Sequence, residues 1–282
     1  MPDAALASTE RQFRDLLRAA APDRQLDLQL FQIAGIKRHP DIRASLERRY
    51  HPVEAIAEAG LSALIVTGAD AGLGALRDAP FWESFARLVD LTLGQGLSTL
   101  WSCLAAHAAV EHLDGIQRRP LEGGKRVGFY PIAPVRPDPL LAGVDREWRV
   151  PNSRYNGVSG DELRAKGYEI LTASGEADPD VFIRRGPPLF LFCQGHPEYD
   201  RDSIVLEYRR DVRAYLQGEA ATPPNPPVGA PDAQMAEAFA QLTAAVAERS
   251  SPETLPSDLT RSAPEWRPFA VGLYGNWLRT VA

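Results

Sequence analysis

Ser98-Thr99-Leu100-Trp101-Ser102-Cys103-Leu104-Ala105-Ala106-His107-Ala108-Ala109-Val110 is the stretch that decides how this chain folds. A short apolar run leads straight into a lone cysteine, and an alanine-rich helical pattern begins at the next residue. That order predicts strand, sharp turn and helix, with the thiol at the turn. A thiol there sits over a helix N-terminus, where unpaired N–H groups and the positive dipole end favour thiolate. The same N–H groups can hold an oxyanion. This is the cysteine form of the nucleophile elbow of acyl-transfer enzymes. Free cysteine is also among the most buried residue types, so on this stretch alone packing is the commoner role.

A second stretch tips the balance. Leu189-Phe190-Leu191-Phe192-Cys193-Gln194-Gly195-His196-Pro197-Glu198-Tyr199-Asp200 reads as an apolar strand that stops at a glycine and delivers His-x-Glu. Residues two apart in extended chain point the same way, so His196 and Glu198 can face one site. Glu198 would fix one imidazole tautomer, and His196 would take the thiol proton. Gly195 lets the backbone turn tightly just before the histidine. Cys103, His196 and Glu198, in that chain order, suit a triad on a parallel α/β sheet.

The rest of the chain alternates strand-like and helix-like patterns, which argues for βαβ units and a mostly parallel sheet flanked by helices. Helical spacing covers 9–20, 52–58, 81–94, 203–217, 234–247 and the amphipathic 266–281. Strands are expected at 26–33, 61–66, 97–102, 168–172, 181–184 and 189–193. The proline-rich stretch 220–229 reads as a linker or surface loop, and 250–264 is turn-rich. The expected organisation is one catalytic domain over 1–219, with 220–282 as a linker and helical extension packed on it. No internal repeat is present.

Composition narrows the class. A chain of 282 residues can bury one large core. Its formal net charge is −6, and its arginine-rich pieces alternate with acids and apolar residues, so nothing points to nucleic acid. Cys103 and Cys193 are the only cysteines; they have neither metal-ligand spacing nor a disulfide framework, which suits a reducing compartment. The start lacks a basic segment followed by a long apolar core, and no run is long enough to span a bilayer. These features read as a cytoplasmic enzyme with no metal and no membrane partner.

A Cys–His–Glu site performs acyl transfer through a thioester. Backbone N–H groups at Leu104 and in the Thr67-Gly68-Ala69 loop would stabilise the oxyanion. The triad itself leaves open whether water or a hydroxyl accepts the acyl group.

The two stretches together resemble the homoserine O-succinyltransferase/O-acetyltransferase family of methionine biosynthesis. The likeness extends to Leu64-Ile65-Val66-Thr67-Gly68-Ala69 with Gly72, to Gly115-Ile116, and to Lys125-Arg126-Val127-Gly128. It continues through Ser153-Arg154-Tyr155, Arg210-Asp211 and Asn276-Trp277-Leu278. The resemblance implies a class I glutamine-amidotransferase-like, flavodoxin-like fold with extra C-terminal helices, and typically a homodimer. It implies acyl-CoA as co-substrate, with no other cofactor, and an amino-acid acceptor, L-homoserine or L-serine. By motif, Arg210 would bind the acceptor carboxylate, a role its planar fork suits. Lys125 would reach substrate or donor, and Ser153, Arg154 and Tyr155 would form an active-site loop. In that family glycine at the position of Gly72 goes with succinyl transfer and glutamate with acetyl transfer, so succinyl-CoA is preferred over acetyl-CoA here. His107, one helical turn beyond Cys103, reads as a packing residue. The chain begins at Met1-Pro2, where family members usually carry a longer stretch before a Met-Pro motif.

Two rival readings share the fold. One is an amidotransferase-class hydrolase, such as a glutaminase module or γ-glutamyl hydrolase, which needs neither Ser153-Arg154-Tyr155 nor Arg210. The other is a silent binding protein with an inert Cys103.

Overall fold

The structure, a computed structural model, describes residues 3–68, 74–175, 178–251 and 264–281. In chain order its strands are β1 (Phe31–Gln32), β2 (His51–Pro52), β3 (Leu64–Val66), β4 (Thr99–Ser102), β5 (Arg119–Pro120) and β6 (Arg126–Pro134). They continue with β7 (Trp148–Arg154), β8 (Asn156–Gly157), β9 (Glu169–Ser174), β10 (Asp178–Arg184) and β11 (Phe190–Cys193). The α-helices are α1 (Leu6–Ala20), α2 (Pro40–Arg49), α3 (Trp82–Gly94), α4 (Leu104–Asp114), α5 (Gly160–Ala165), α6 (Ser203–Leu216), α7 (Ala233–Glu248) and α8 (Arg267–Val281).

Among the described residues, a seven-stranded sheet runs in the order β3-β4-β11-β10-β9-β6-β7. β3, β4 and β11 are parallel, as the βαβ pattern predicts, and this half carries the cysteine and the histidine. The remaining four pairings are antiparallel. β9, β10 and β11 follow one another through short connections, as antiparallel neighbours can.

Burial follows the two-residue period of the strands. Along β11, Phe190 and Phe192 enter the core beneath α3 and α4, whereas Leu191 and Cys193 enter the core beneath α1, α6, α7 and α8. In β4, Trp101 and Leu100 divide the same way. Helices cover both faces, so these strands read as continuous apolar runs. The apolar stripe of α1 (Phe13, Leu16, Leu17, Ala20) is buried, and Phe13 lies 6.4 Å from the Tyr274 ring of α8. Asn276 donates to the carbonyls of Leu140 and Ala142 at 2.9 and 3.0 Å, which gives the Asn-Trp-Leu motif a role in fixing the chain terminus.

Two expectations are corrected. The strand predicted over 26–33 forms only at Phe31–Gln32, where it pairs with β2. The rest of it faces an apolar cavity of about 680 Å³ opposite β3, so no second ladder forms. The Ser153-Arg154-Tyr155 segment is not a loop throughout, because Ser153 and Arg154 end β7, held in register with Val127 and Arg126. The proline-rich stretch is a surface loop, one of the two readings expected of it, and it is tied to the sheet. Val228 bridges to Gly128 of β6, with Phe129 N donating to Val228 O at 2.8 Å and Val228 N to Val127 O at 3.1 Å.

Candidate active site

The turn between β4 and α4 puts Cys103 at φ 55°, ψ −119°, a left-handed conformation that few non-glycine residues adopt. It is pinned there from two sides. Cys103 N donates to Cys193 O at 2.7 Å, and Cys103 O accepts from Ala106 N at 3.0 Å. The thiol therefore stands at the head of α4, over its first N–H groups. The neighbouring parallel strand, β11, ends at Cys193 and leads directly to Gly195 and His196. A Cβ on Gly195 would lie 2.7 Å from Asp180 Oδ1 and 3.1 Å from Pro151 O, so any larger residue would have to push the Asp180 carboxylate aside. His196 N donates to Pro151 O at 2.8 Å, which ties the histidine loop to β7.

The three sequence-predicted catalytic side chains meet. His196 Nδ1 and Glu198 Oε1 are 2.8 Å apart, both residues are buried, and the imidazole also hydrogen-bonds Cys103. Tyr199 stacks on the imidazole at 4.1 Å and 15°. Burial alone would lower the affinity of His196 for a proton, but the negative charges of Cys103 and Glu198 outweigh it and hold the imidazole well above its usual range. Burial pushes the Cys193 thiol up, so that cysteine stays protonated and inert.

Gly68 packs against the head of α4, where a Cβ would be 3.0 Å from Leu104 N. Thr67, Gly68 and Leu104 thus border one point, and all three also line the 680 Å³ cavity. Neither Cys103 nor His196 lines that cavity, so the large void is not the reaction centre. Ala69 and Gly72 lie outside the described residues.

The expected substrate-side residues divide into two groups. Lys125, Tyr155 and Arg210 gather around Asp211. Lys125 Nζ is 2.5 Å from Asp211 Oδ2, Arg210 Nε and Nη2 are 3.1 and 2.9 Å from Asp211 Oδ1, and Lys125 lies over the Tyr155 ring at 5.6 Å. Tyr199, stacked on His196, donates its hydroxyl to Glu207 at 2.6 Å, and the charge of Glu207 acts on Arg210. Ser153 shares the Tyr155 side of β7 by strand alternation. Arg154 points the other way. It is buried and its donors go to Asn152 Oδ1 (3.0 Å), Asn156 O (2.9 Å) and Asp178 Oδ1 (2.6 Å).

Sequence reasoning missed the polar layer beneath the histidine loop. Asp180 is buried and accepts from Gly195 N at 3.1 Å; burial pushes its carboxyl up to about 6. Gln194 donates through Nε2 to Pro179 O and accepts at Oε1 from His107 Nε2 at 2.8 Å. His107 is buried, as expected of a packing residue, and burial together with the nearby Arg154 charge pushes it down to about 3, so it is neutral. Polar residues at the ends of apolar strands (Asp180 opening β10's buried run, Gln194 closing β11) were the available signal.

A family model described as homoserine O-succinyltransferase matches residues 1–282. The chain belongs to the homoserine O-succinyltransferase family. A homoserine O-succinyltransferase from Methylorubrum extorquens is 43% identical over 290 residues, covering all of this chain and 85% of its own length. One from Rhodopseudomonas palustris is 39% identical over 287 residues, again covering all of this chain and 86% of its own length. Among solved structures, a glutamine amido transferase from Methylobacillus flagellatus superposes with a TM-score of 0.53 at 14% identity, over 90% of this chain and 93% of that one. The homoserine O-succinyltransferase family thus has, in this chain, a class I glutamine-amidotransferase-like fold. Among the described residues, no helix is long and apolar enough to cross a membrane and no cluster of metal-ligating side chains occurs.

Proposed function

We propose that this chain transfers an acyl group, succinyl in preference to acetyl, from acyl-CoA to the hydroxyl of L-homoserine, with L-serine as the alternative acceptor. The observation that carries the reading is the Cys103–His196–Glu198 array at the head of α4, in which a half-buried thiol meets a buried imidazole and carboxylate. The Cys103 thiolate attacks the thioester carbonyl, and the oxyanion is held by N–H groups at Leu104 and the Thr67-Gly68 turn. The tetrahedral adduct collapses, and the CoA thiolate leaves with the proton of the His196 imidazolium. The acceptor hydroxyl then gives its proton to neutral His196 Nε2 as its oxygen attacks the acyl-enzyme, and Cys103 departs as thiolate. Glu198 keeps Nδ1 engaged through both halves. Arg210 and Lys125, gathered round Asp211, supply the cationic face for the acceptor carboxylate. The succinyl preference rests on Gly72, which leaves room for a longer acyl group and sets no like charge against its carboxylate.

The test is release of free CoA thiol from succinyl-CoA and acetyl-CoA, each with L-homoserine and L-serine, alongside Cys103→Ala. Acceptor-dependent release that is absent in the variant is expected. Glutamine hydrolysis with no release from any pair would replace this reading with the amidase.

A further inference from the structure

Titratable groups outside the triad are mostly paired at the surface, but one buried pair joins the two halves of the reaction centre. His107 lies one turn into α4, the helix that follows directly on Cys103. Gln194 lies between the end of β11 and the His196 loop. His107 Nε2 and Gln194 Oε1 are 2.8 Å apart, and both side chains are buried. Gln194 Nε2 already donates to Pro179 O, so its Oε1 accepts and His107 Nε2 carries the proton. Gln194 N donates to Asp180 O at 2.8 Å, while Asp180 Oδ1 receives Gly195 N. Gln194 is thereby fixed at its backbone and at both ends of its amide.

We propose that His107 is a positioning residue: through its hydrogen bond to Gln194 it latches α4 to the histidine loop and sets the separation of Cys103 from His196. The main-chain bond from Cys103 N to Cys193 O ties the base of the two elements, and the His107–Gln194 bond ties them a full turn deeper. Two attachment points fix an angle as well as a distance. A neutral histidine performs this task because it donates a single directed hydrogen bond, and its low proton affinity keeps a further buried charge away from His196 and Glu198. Misplacement of reacting groups by about 1 Å costs on the order of 100-fold in rate.

The inference rests on the acyl-transfer reading only for its turnover readout. The test therefore also measures something that needs no substrate, the pH profile of Cys103 alkylation by iodoacetamide. His107→Leu removes the donor, and His107→Gln restores an N–H of similar reach. In the first variant kcat is expected to fall about 10- to 100-fold with KM little changed, and the alkylation profile to move toward that of an unpaired thiol. In the second variant both should return most of the way to wild type. A Gln194→Leu change should cost little more in the His107→Leu background than His107→Leu costs alone, because both remove one bond. Should His107→Leu fail to fold, the Gln194→Leu profile and the His107→Gln variant carry the same comparison. An unchanged alkylation profile in His107→Leu or Gln194→Leu would overturn the latch. A shifted profile in a protein with no acyl transfer would instead keep the latch and discard the activity.

Discussion

Glu198 is buried, and its second oxygen, Oε2, has no hydrogen-bond partner among the described residues. Its stabilisation comes from the imidazolium it orients. Glu198→Gln keeps the shape but offers His196 Nδ1 an acceptor of lower charge or, with the amide turned, a donor that forces the wrong tautomer. kcat is expected to fall by up to about 10⁴-fold, as tautomer-reversing changes in triads do. Far-UV circular dichroism should stay native; activity within tenfold of wild type would show that Glu198 does not orient the base. These three residues were legible in the sequence because each sits at a change of pattern: a cysteine where strand becomes helix, and a histidine and glutamate just past a glycine that ends a strand. Arg154 was less legible. Its neighbours Ser153 and Tyr155 share the other side of the chain, and only the register of β7 against β6 shows that Arg154 is committed to Asn152 and Asp178.

At the level of elements, the parallel half was readable, and so were β9 and β10 of the antiparallel half, expected at 168–172 and 181–184; β6 and β7 were not. β4 and β11 are uninterrupted apolar runs flanked by helices. β6 contains two prolines, and its partner β7 begins 14 residues beyond its end, at Trp148, so its ladder depends on non-local pairing that no local pattern reports. The 26–33 segment fails in the opposite sense, since its alternation is strand-like but only its last residues find a partner. β6 also receives the proline-rich strap. Gly128 sits at φ 127°, where a Cβ would lie 2.2 Å from Val228 O and 2.5 Å from Val228 N. These obstacles are backbone and cannot swing aside. Gly128→Ala should destabilise the fold by about 1–3 kcal/mol and free the strap, measured as a lower urea midpoint and faster proteolysis within 220–227. An unchanged midpoint would mean that the strap yields without cost.

For the whole molecule, two buried groups of the polar layer set opposing pH dependences. His107 drops from 6.5 to about 3 on folding, so its contribution is intact above pH 6.5 and is lost as pH falls toward 3. Asp180 rises from 3.8 to about 6, so it favours the folded state at low pH and loses that advantage as pH climbs through 6. Between pH 6 and 4 the two partly cancel. His107→Gln removes only the first, so the variant should lose less stability than wild type on acidification from pH 6.5. The gap should grow by up to ~1.4 kcal/mol per pH unit, read from urea midpoints at a series of pH values. Parallel curves would show that His107 titrates alike in both states.

The pairing of α1 with α8 has a consequence for how the molecule is made. About 260 residues separate the start of α1 from that of α8. At roughly 5–20 residues per second, a ribosome takes about 13–50 s to cover that distance. Throughout that interval Phe13, Leu16 and Leu17 have been synthesised, while Phe269, Leu273 and Trp277 have not. α1 must therefore wait, apolar face uncovered, until α8 leaves the exit tunnel, and a cell producing this chain has to shelter that face for at least that interval.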